Sequence, residues 1–281
     1  MIAFITVHYN TPEEIKDYVR SIAALDRVSS DILVVVVDSG SSAQQLAEMK
    51  LFVESSYFPG ISLQLIEANE NLGYLRGLNR GIAQVKLKSI PVEYWILGNN
   101  DVLFEKDFLI QLYKVRYDRD TLVLAPNIKN ASGVYENPHE IEPIPKSRLK
   151  LYDLYYSNYF VGTSIMKLYG LVNRLFTNPR RFKMKKEKVD FMNIHFCTGC
   201  KFILTRHFFE HYEQLRDDVF LWAEEVLISY QVWSINKKML YCPTLKMYHK
   251  LSVATGKLPS RKKYNQMRDA HWKVRPFHKL Q

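Results

Sequence analysis

The sequence predicts an α/β fold in which a mostly parallel central sheet is flanked by helices within a single domain. Three observations carry this. Ile32–Val37 is continuously apolar and rich in β-branched residues, as a strand covered on both faces is, and Ile2–Val7 reads as another strand. Such runs alternate with helix-length stretches as far as residue 126, and that alternation requires crossover connections and parallel pairing. Four successive strand ends carry polar or glycine-rich loops, as expected where ligands collect at the carboxyl edge of an open sheet.

The elements follow in order. After the strand Ile2–Val7, Pro12–Leu25 reads as a helix with Pro12 in its first turn, where a missing N–H is tolerated. Ile32–Val37 is the second strand, Ser39-Gly40-Ser41-Ser42 a loop, Ala43–Phe52 a helix, Leu63–Ala68 a strand and Leu75–Val85 a helix. Tyr94–Leu97 is the fourth strand, Asp107–Tyr117 a helix and Leu122–Ala125 the fifth strand. From Pro126 the period is lost. Residues 127–195 carry Pro138, Pro143, Pro145 and Pro179 and many tyrosines, and predict an insertion packed on the sheet, helical near Tyr152–Leu175. Regularity returns as a strand at Phe196–Thr205, a helix at Glu224–Ile235 and a strand at Lys238–Cys242.

A chain of 281 residues, 47% hydrophobic, buries a full core and is not disordered. Its net charge of +10 is uneven: Arg174–Lys188 carries +6 and Lys250–Gln281 carries +8, which leaves −4 for the rest. Both basic segments interleave aromatics (Phe176 and Phe182; Tyr264, Trp272 and Phe277), which suits anionic lipid headgroups, a lipid diphosphate or nucleic acid. The same runs also read as plain solvated faces. No apolar run approaches the roughly 18 residues of a spanning helix. Ile2–Val7 has no basic region before it and is soon followed by Glu13 and Glu14, unlike a secretory signal, so a cytoplasmic protein is expected. Cys197, Cys200 and Cys242 make no disulfide framework, in keeping with a reducing compartment. Cys197 and Cys200 have redox-motif spacing, but with no second pair the better reading is buried small residues on a strand.

Dinucleotide and P-loop glycine signatures are absent, which sets aside dehydrogenases and P-loop enzymes. The strand ends offer His8-Tyr9-Asn10, Asp38-Ser39-Gly40-Ser41-Ser42, Asn69-Glu70-Asn71-Leu72-Gly73 and Asn99-Asn100-Asp101. Together they predict one crevice with an aromatic for stacking (Tyr9), an acceptor for base or ribose (Asp38), a close-approach glycine (Gly73) and a metal carboxylate (Asp101). Asn and Asp are also ordinary turn residues, so each loop alone has a plain structural reading.

These segments, with Asn79 and Gly81, resemble the N-terminal half of family 2 glycosyltransferases of the GT-A fold, in particular bacterial enzymes similar to rhamnosyltransferases. The resemblance resumes at Gly199–Leu204 and Phe220–Glu225 and ends at Tyr248-His249-Lys250, leaving residues 127–195 unmatched. It implies a nucleotide-binding half (1–126), a variable insertion (127–195), a catalytic and acceptor half (196–249) and a basic aromatic tail (250–281). It implies that His8, Tyr9, Asn10, Asp38, Asn71, Gly73, Asn99 and Asn100 line the nucleotide site. Arg76 is not a matched position, but a cation following Gly73 is placed to reach the diphosphate.

Asp101 resembles the last acid of the family's D-x-D-type motif. Asn99 and Asn100 fill the first two positions, so a single carboxylate is left for Mg²⁺ or Mn²⁺. His249 resembles the family's C-terminal histidine, and a nitrogen ligand tilts the choice toward Mn²⁺. Glu224 and Glu225 resemble the family's Glu-Asp pair, whose second acid is the catalytic base of inverting enzymes. Glu225 stands where Asp is usual, one methylene longer. The resemblance thus implies inverting, metal-dependent transfer of a sugar from a UDP- or dTDP-linked donor to a hydroxyl of a cell-surface glycan, lipopolysaccharide or capsule, or of a lipid-linked acceptor. Peripheral membrane contact is expected through Arg174–Lys188 and Lys250–Gln281, at the inner face of the cell membrane. Two other readings stay open. A nucleic-acid-binding protein would use the basic segments, although Asp38 and Asp101 would repel a phosphate backbone. An inactive sugar-nucleotide-binding homologue would account for Glu225 and for the missing acids before Asp101.

Overall fold

Alternation along the strands decides which layer each side chain joins. In β1 (Ile2–His8) and β2 (Ile32–Ser39), Ala3, Ile5, Leu33, Val35 and Val37 enter one core, while Ile2, Phe4, Ile32, Val34 and Val36 enter the other. The first core is covered by α3 (Tyr74–Lys86), α7 (Glu224–Trp233) and Ala270 and Val274 of α8 (Ser260–Val274). The second is covered by α1 (Pro12–Ala23), Met49 of α2 (Ala43–Ser55) and α4 (Phe108–Lys114). The computed structural model describes residues 1–26, 31–176, 188–251 and 260–280. The expected basic segment Arg174–Lys188 thus lies mostly outside the described residues, as do residues 252–259 of the segment from Lys250.

The sheet runs β3 (Ile61–Ala68), β2, β1, β4 (Tyr94–Gly98), β8 (Lys201–Thr205), β6 (Thr121–Asn130), β9 (Lys238–His249) and β5 (Val102–Phe104), with β7 (Met192–Ile194) paired to β9. Strands β3 to β4 are parallel, as the alternation predicts. Beyond them the sheet is mixed: β8 runs antiparallel between β4 and β6, while β9 is parallel to β6.

Three differences from the sequence expectations matter for the site. Strand β9 does not stop at Cys242 but continues through Pro243 to His249, with a register shift between Pro126 and Asn127 of β6 opposite the proline. A short strand, β5, starts immediately after Asp101, and Val102 pairs with His249, which brings two distant candidate ligands side by side. The strand expected from Phe196 begins at Lys201, leaving 196–200 as a loop. The insertion holds two helices, α5 (Lys146–Tyr155) and α6 (Tyr159–Phe176), where one helical region was expected. The break falls at Asn158, whose side-chain oxygen accepts the backbone N–H groups of Phe160 and Val161 at 3.0 Å each and so caps α6. Among the described residues no helix is long and apolar enough to cross a membrane.

Candidate active site

The crevice forms at the carboxyl ends of β1, β2 and β4. His8 and Asp38 are paired positions on β1 and β2 and both are buried, with His8 Nε2 3.7 Å from Asp38 Oδ1. His8 Nδ1 lies 3.3 Å from Thr11 Oγ1, and burial lowers its pKa. His8 therefore lies beneath Asp38 and props that carboxylate rather than lining the surface. The other Asp38 oxygen accepts the Ser41 N–H at 3.1 Å. Tyr9 is 47% exposed, which leaves its ring available for stacking. Asn10, at φ 54°, cross-links the two loops: its N–H donates to Ser41 Oγ and its side-chain oxygen accepts the Ser42 N–H, each at 2.9 Å.

The third loop is held by Asn71, whose side-chain oxygen accepts the Gly73 N–H at 3.0 Å and the Ser39 hydroxyl at 3.3 Å. Gly73 adopts φ +77°, and a Cβ there would lie 2.3 Å from the Phe220 carbonyl oxygen. That carbonyl accepts the Tyr74 N–H at 2.9 Å, so the absence of a side chain lets the segment before Glu224 close on the nucleotide loop. Arg76 is exposed in the first turn of α3. Asn100 donates its amide to the Val7 carbonyl at 3.2 Å and to Thr11 Oγ1 at 2.9 Å, and the Asn99 carbonyl accepts from Lys201 Nζ at 2.6 Å. Both asparagines thus tie the end of β4 to its neighbours and aim the residue that follows.

That residue, Asp101, is buried at 3% exposure, and its Oδ1 lies 3.2 Å from His249 Nε2. The other imidazole nitrogen, Nδ1, faces Glu136 at 2.9 and 3.0 Å. Glu136 is itself fixed: its carboxylate accepts from Asn130 Nδ2 at 3.1 Å and from the Cys200 thiol at 3.0 Å. Burial opposes charge on His249, yet bonds to Asp101, Cys200 and Glu136 prevail and raise its pKa to about 12. Binding of a cation would displace that proton. The donor atoms of Glu136, Cys200 and His249 lie within 4.8 Å of one another. A carboxylate and an imidazole nitrogen 3.2 Å apart can share one ion, and a carboxylate behind the second nitrogen is the usual orienting partner of a metal-bound histidine. The residues fit a divalent cation. Sequence reasoning missed Glu136, which lies in the insertion, and took Cys200 for a strand residue of the core; it precedes β8 and sits beside the cluster.

Trp222 and Ala223 both adopt left-handed backbone, at φ 73° and 58°, immediately before the acid pair. Consecutive non-glycine residues there store strain, which concentrates at functional positions. Glu224 packs against Gly199, where a Cβ would meet Glu224 Cγ at 2.3 Å. Its Oε2 is buried with no hydrogen-bond partner among the described residues, and burial together with the charge of Glu225 raises its pKa well above the usual carboxylate range. Glu225 lies toward the insertion, and its charge reaches the Tyr156 hydroxyl and the Cys197 thiol. Folded protein thus binds a proton at Glu224 that unfolded chain has already released, so this residue lowers stability as pH rises above the ordinary carboxylate pKa. Glu224→Gln is expected to melt at or above the parent temperature, with a lead that widens from pH 5 to pH 7; thermal melts across that range check it. Flat melting differences would remove the buried proton.

Tyr74 meets the same glycine that packs against Glu224. Its buried hydroxyl donates to the Gly199 carbonyl at 2.7 Å, and its pKa is raised by burial, then by Glu224, Cys200 and Asp101. Lys201 lies below. It is fully buried, its Nζ is 3.3 Å from the Tyr18 hydroxyl, and burial pushes its pKa down to about 7 against the pull of Cys200 and Asp101.

A crevice at the carboxyl edge of an open α/β sheet, with an Asp–His pair fit for a cation, is the kind of site at which an α/β enzyme takes a phosphate-bearing ligand. Residues 3–213 match the family model described as Glycosyl transferase family 2, and the chain belongs to that family. By that membership it is a glycosyltransferase. The low-salt glycan biosynthesis hexosyltransferase Agl10 of Haloferax volcanii is 22% identical over 252 residues, 90% of this chain and 68% of that one. The fold is similar to that of GalNAc-T7, solved with UDP, GalNAc and Mn²⁺, at a TM-score of 0.62 and 15% identity over 94% of this chain and 46% of that one. It is also similar to that of the mannosyltransferase PcManGT of Pyrobaculum calidifontis, solved with GDP-Man and Mn²⁺, at 0.54 and 14% over 99% of this chain and 73% of that one. The chain thus spans less than half the length of GalNAc-T7.

Proposed function

We propose that the chain is an inverting, metal-dependent glycosyltransferase that moves a sugar from a UDP- or dTDP-linked donor to a hydroxyl of a surface glycan or lipid-linked acceptor. The observation that carries this is the Asp101–His249 pair, 3.2 Å apart, joined to Glu224 through consecutive residues: Gly199 packs against Glu224, and Cys200 donates to Glu136 behind the His249 ring. GalNAc-T7 and PcManGT, each solved with Mn²⁺ and a nucleotide, support the cation and donor assignments.

Tyr9 and Asp38 hold the nucleobase, with His8 behind Asp38. Asn10 and Asn71 set the loops that receive the donor, Gly73 admits its backbone approach, and Arg76 reaches toward the diphosphate. Asp101 and His249 would hold Mn²⁺ or Mg²⁺, which supplies positive charge to the departing diphosphate. Glu225 accepts the proton of the attacking hydroxyl, and Glu224, which keeps its own proton at neutral pH, leaves that task to its neighbour. The acceptor enters from the side of the insertion. Work at the cytoplasmic face of a membrane would suit a lipid-linked acceptor, with the basic segments Arg174–Lys188 and Lys250–Gln281 against the lipid.

Thermal shift with UDP, dTDP, GDP and their sugars, with and without Mn²⁺, tests the reading. A nucleotide at 100 times its dissociation constant is expected to stabilise by about 2.7 kcal/mol, and more with the metal than without. No metal-dependent response to any of them, together with nucleic-acid binding that persists in EDTA, would overturn it.

A further inference from the structure

Outside the active site the least explained feature is the outer face of the α5–α6 hairpin. Its inner face is fastened to α8. The Tyr264 hydroxyl lies 2.6 Å from the carbonyls of both Tyr155 and Asn158, and its ring sits on Gly162, where a Cβ would come within 2.5 Å. Asp153 accepts from Arg275 at 2.6 and 2.9 Å and pairs with His271 at 2.9 Å, while Trp272 Nε1 donates to the Tyr156 carbonyl at 3.1 Å. These contacts use one side of each helix.

On the other side, Leu151, Leu154, Phe160 and Leu168 are between 51% and 72% exposed. Single exposed apolar residues are ordinary, but four on the outer side of one hairpin mark a surface that meets something apolar. The accompanying charge narrows what that is. Residues 146–176 contain Lys146, Arg148, Lys150, Lys167 and Arg174 but a single acid, Asp153, which is turned inward to Arg275. Lys146, Lys150 and Lys167 are exposed beside the apolar residues, and the sequence beyond α6 continues strongly basic. Two copies joined through this face would oppose like charges. An interface that is apolar at its centre and negative at its rim suits it, and an anionic bilayer has that composition.

We propose that the outer face of α5–α6 docks on an anionic lipid bilayer, with Leu154 and Phe160 entering the headgroup boundary and Lys150 and Lys167 against lipid phosphates. The docking does not rest on the glycosyltransferase reading above.

Flotation of the full chain with vesicles of phosphatidylcholine, alone or mixed with phosphatidylglycerol, tests it. The parent is expected to float with the anionic vesicles, and less as salt rises. The double variant Leu154→Glu/Phe160→Glu is expected to lose at least about tenfold in partitioning, and Lys150→Ala or Lys167→Ala about fivefold each. Nucleotide-induced thermal shift and donor turnover with a water-soluble acceptor are expected to stay at parent level in all of them, which separates lost docking from lost folding. The proposal is overturned if the parent ignores anionic vesicles or the double variant floats as the parent does. It is equally overturned if light scattering finds a dimer that this double variant converts to monomer with flotation unchanged. A failed nucleotide response with intact flotation would instead strike the catalytic reading alone.

Discussion

Asp101→Asn is expected to lower sugar transfer by at least about a thousandfold, because the substitution keeps the shape and removes the carboxylate charge at the cation site. Asn99 and Asn100 before it are neutral, so Asp101 is the one acid of that loop, and the Asn100 amide is already committed to Val7 and Thr11. Binding of Mn²⁺, followed by electron paramagnetic resonance with UDP present, should weaken in parallel. Glu136→Gln provides the graded comparison. It disturbs the bond to His249 Nδ1 without touching Nε2 or Asp101, so Mn²⁺ affinity is expected to fall by roughly 10–100-fold. Saturating metal should restore transfer in Glu136→Gln and leave Asp101→Asn inactive. Equal behaviour of the two variants would place the ion on the Glu136–Cys200 side of the imidazole instead.

The second large effect is expected at Glu225. Glu225→Gln should lower kcat by roughly 100–10,000-fold while donor affinity, read by thermal shift with UDP-sugar and Mn²⁺, stays at the parent value. The longer acid calls for its own comparison. Glu225 stands one residue beyond two left-handed residues, Trp222 and Ala223, that fix where α7 begins. Glu225→Asp withdraws the carboxylate by about one carbon–carbon bond and is expected to cost on the order of 10–100-fold rather than improve the enzyme. Unchanged turnover in Glu225→Gln would move the base to another residue, and Glu224→Gln assayed beside it would show whether the pair exchanges roles.

How legible the site was depended on how far apart its parts lie in the chain. Asp38, Gly73 and Asp101 were readable because each ends a strand or opens a helix, and the strands were plain from their branched apolar runs. His8 was readable as a site position but not as a buried prop: burial is a property of the sheet, and nothing in His8-Tyr9-Asn10 distinguishes the inward ring from the outward one. Strand β9 appeared to end at Cys242 because Pro243 cannot serve a regular ladder, and the register shift opposite it belongs to a partner strand about 117 positions away.

The order of elements, the parallel half of the sheet, the polar strand ends and the expected acids were determined by the sequence itself, since periodicity and turn chemistry act over a few residues. Tertiary structure alone decided that Asp101 meets His249, through the pairing of Val102 with that histidine. It also decided that Glu136 and Cys200 stand behind the imidazole, that Tyr74 and Glu224 meet at Gly199, and that α5–α6 turns Asp153 inward and Leu154 and Phe160 outward. Each of these joins segments distant in the chain, where strand pairing and shared burial, rather than local preference, choose the neighbour.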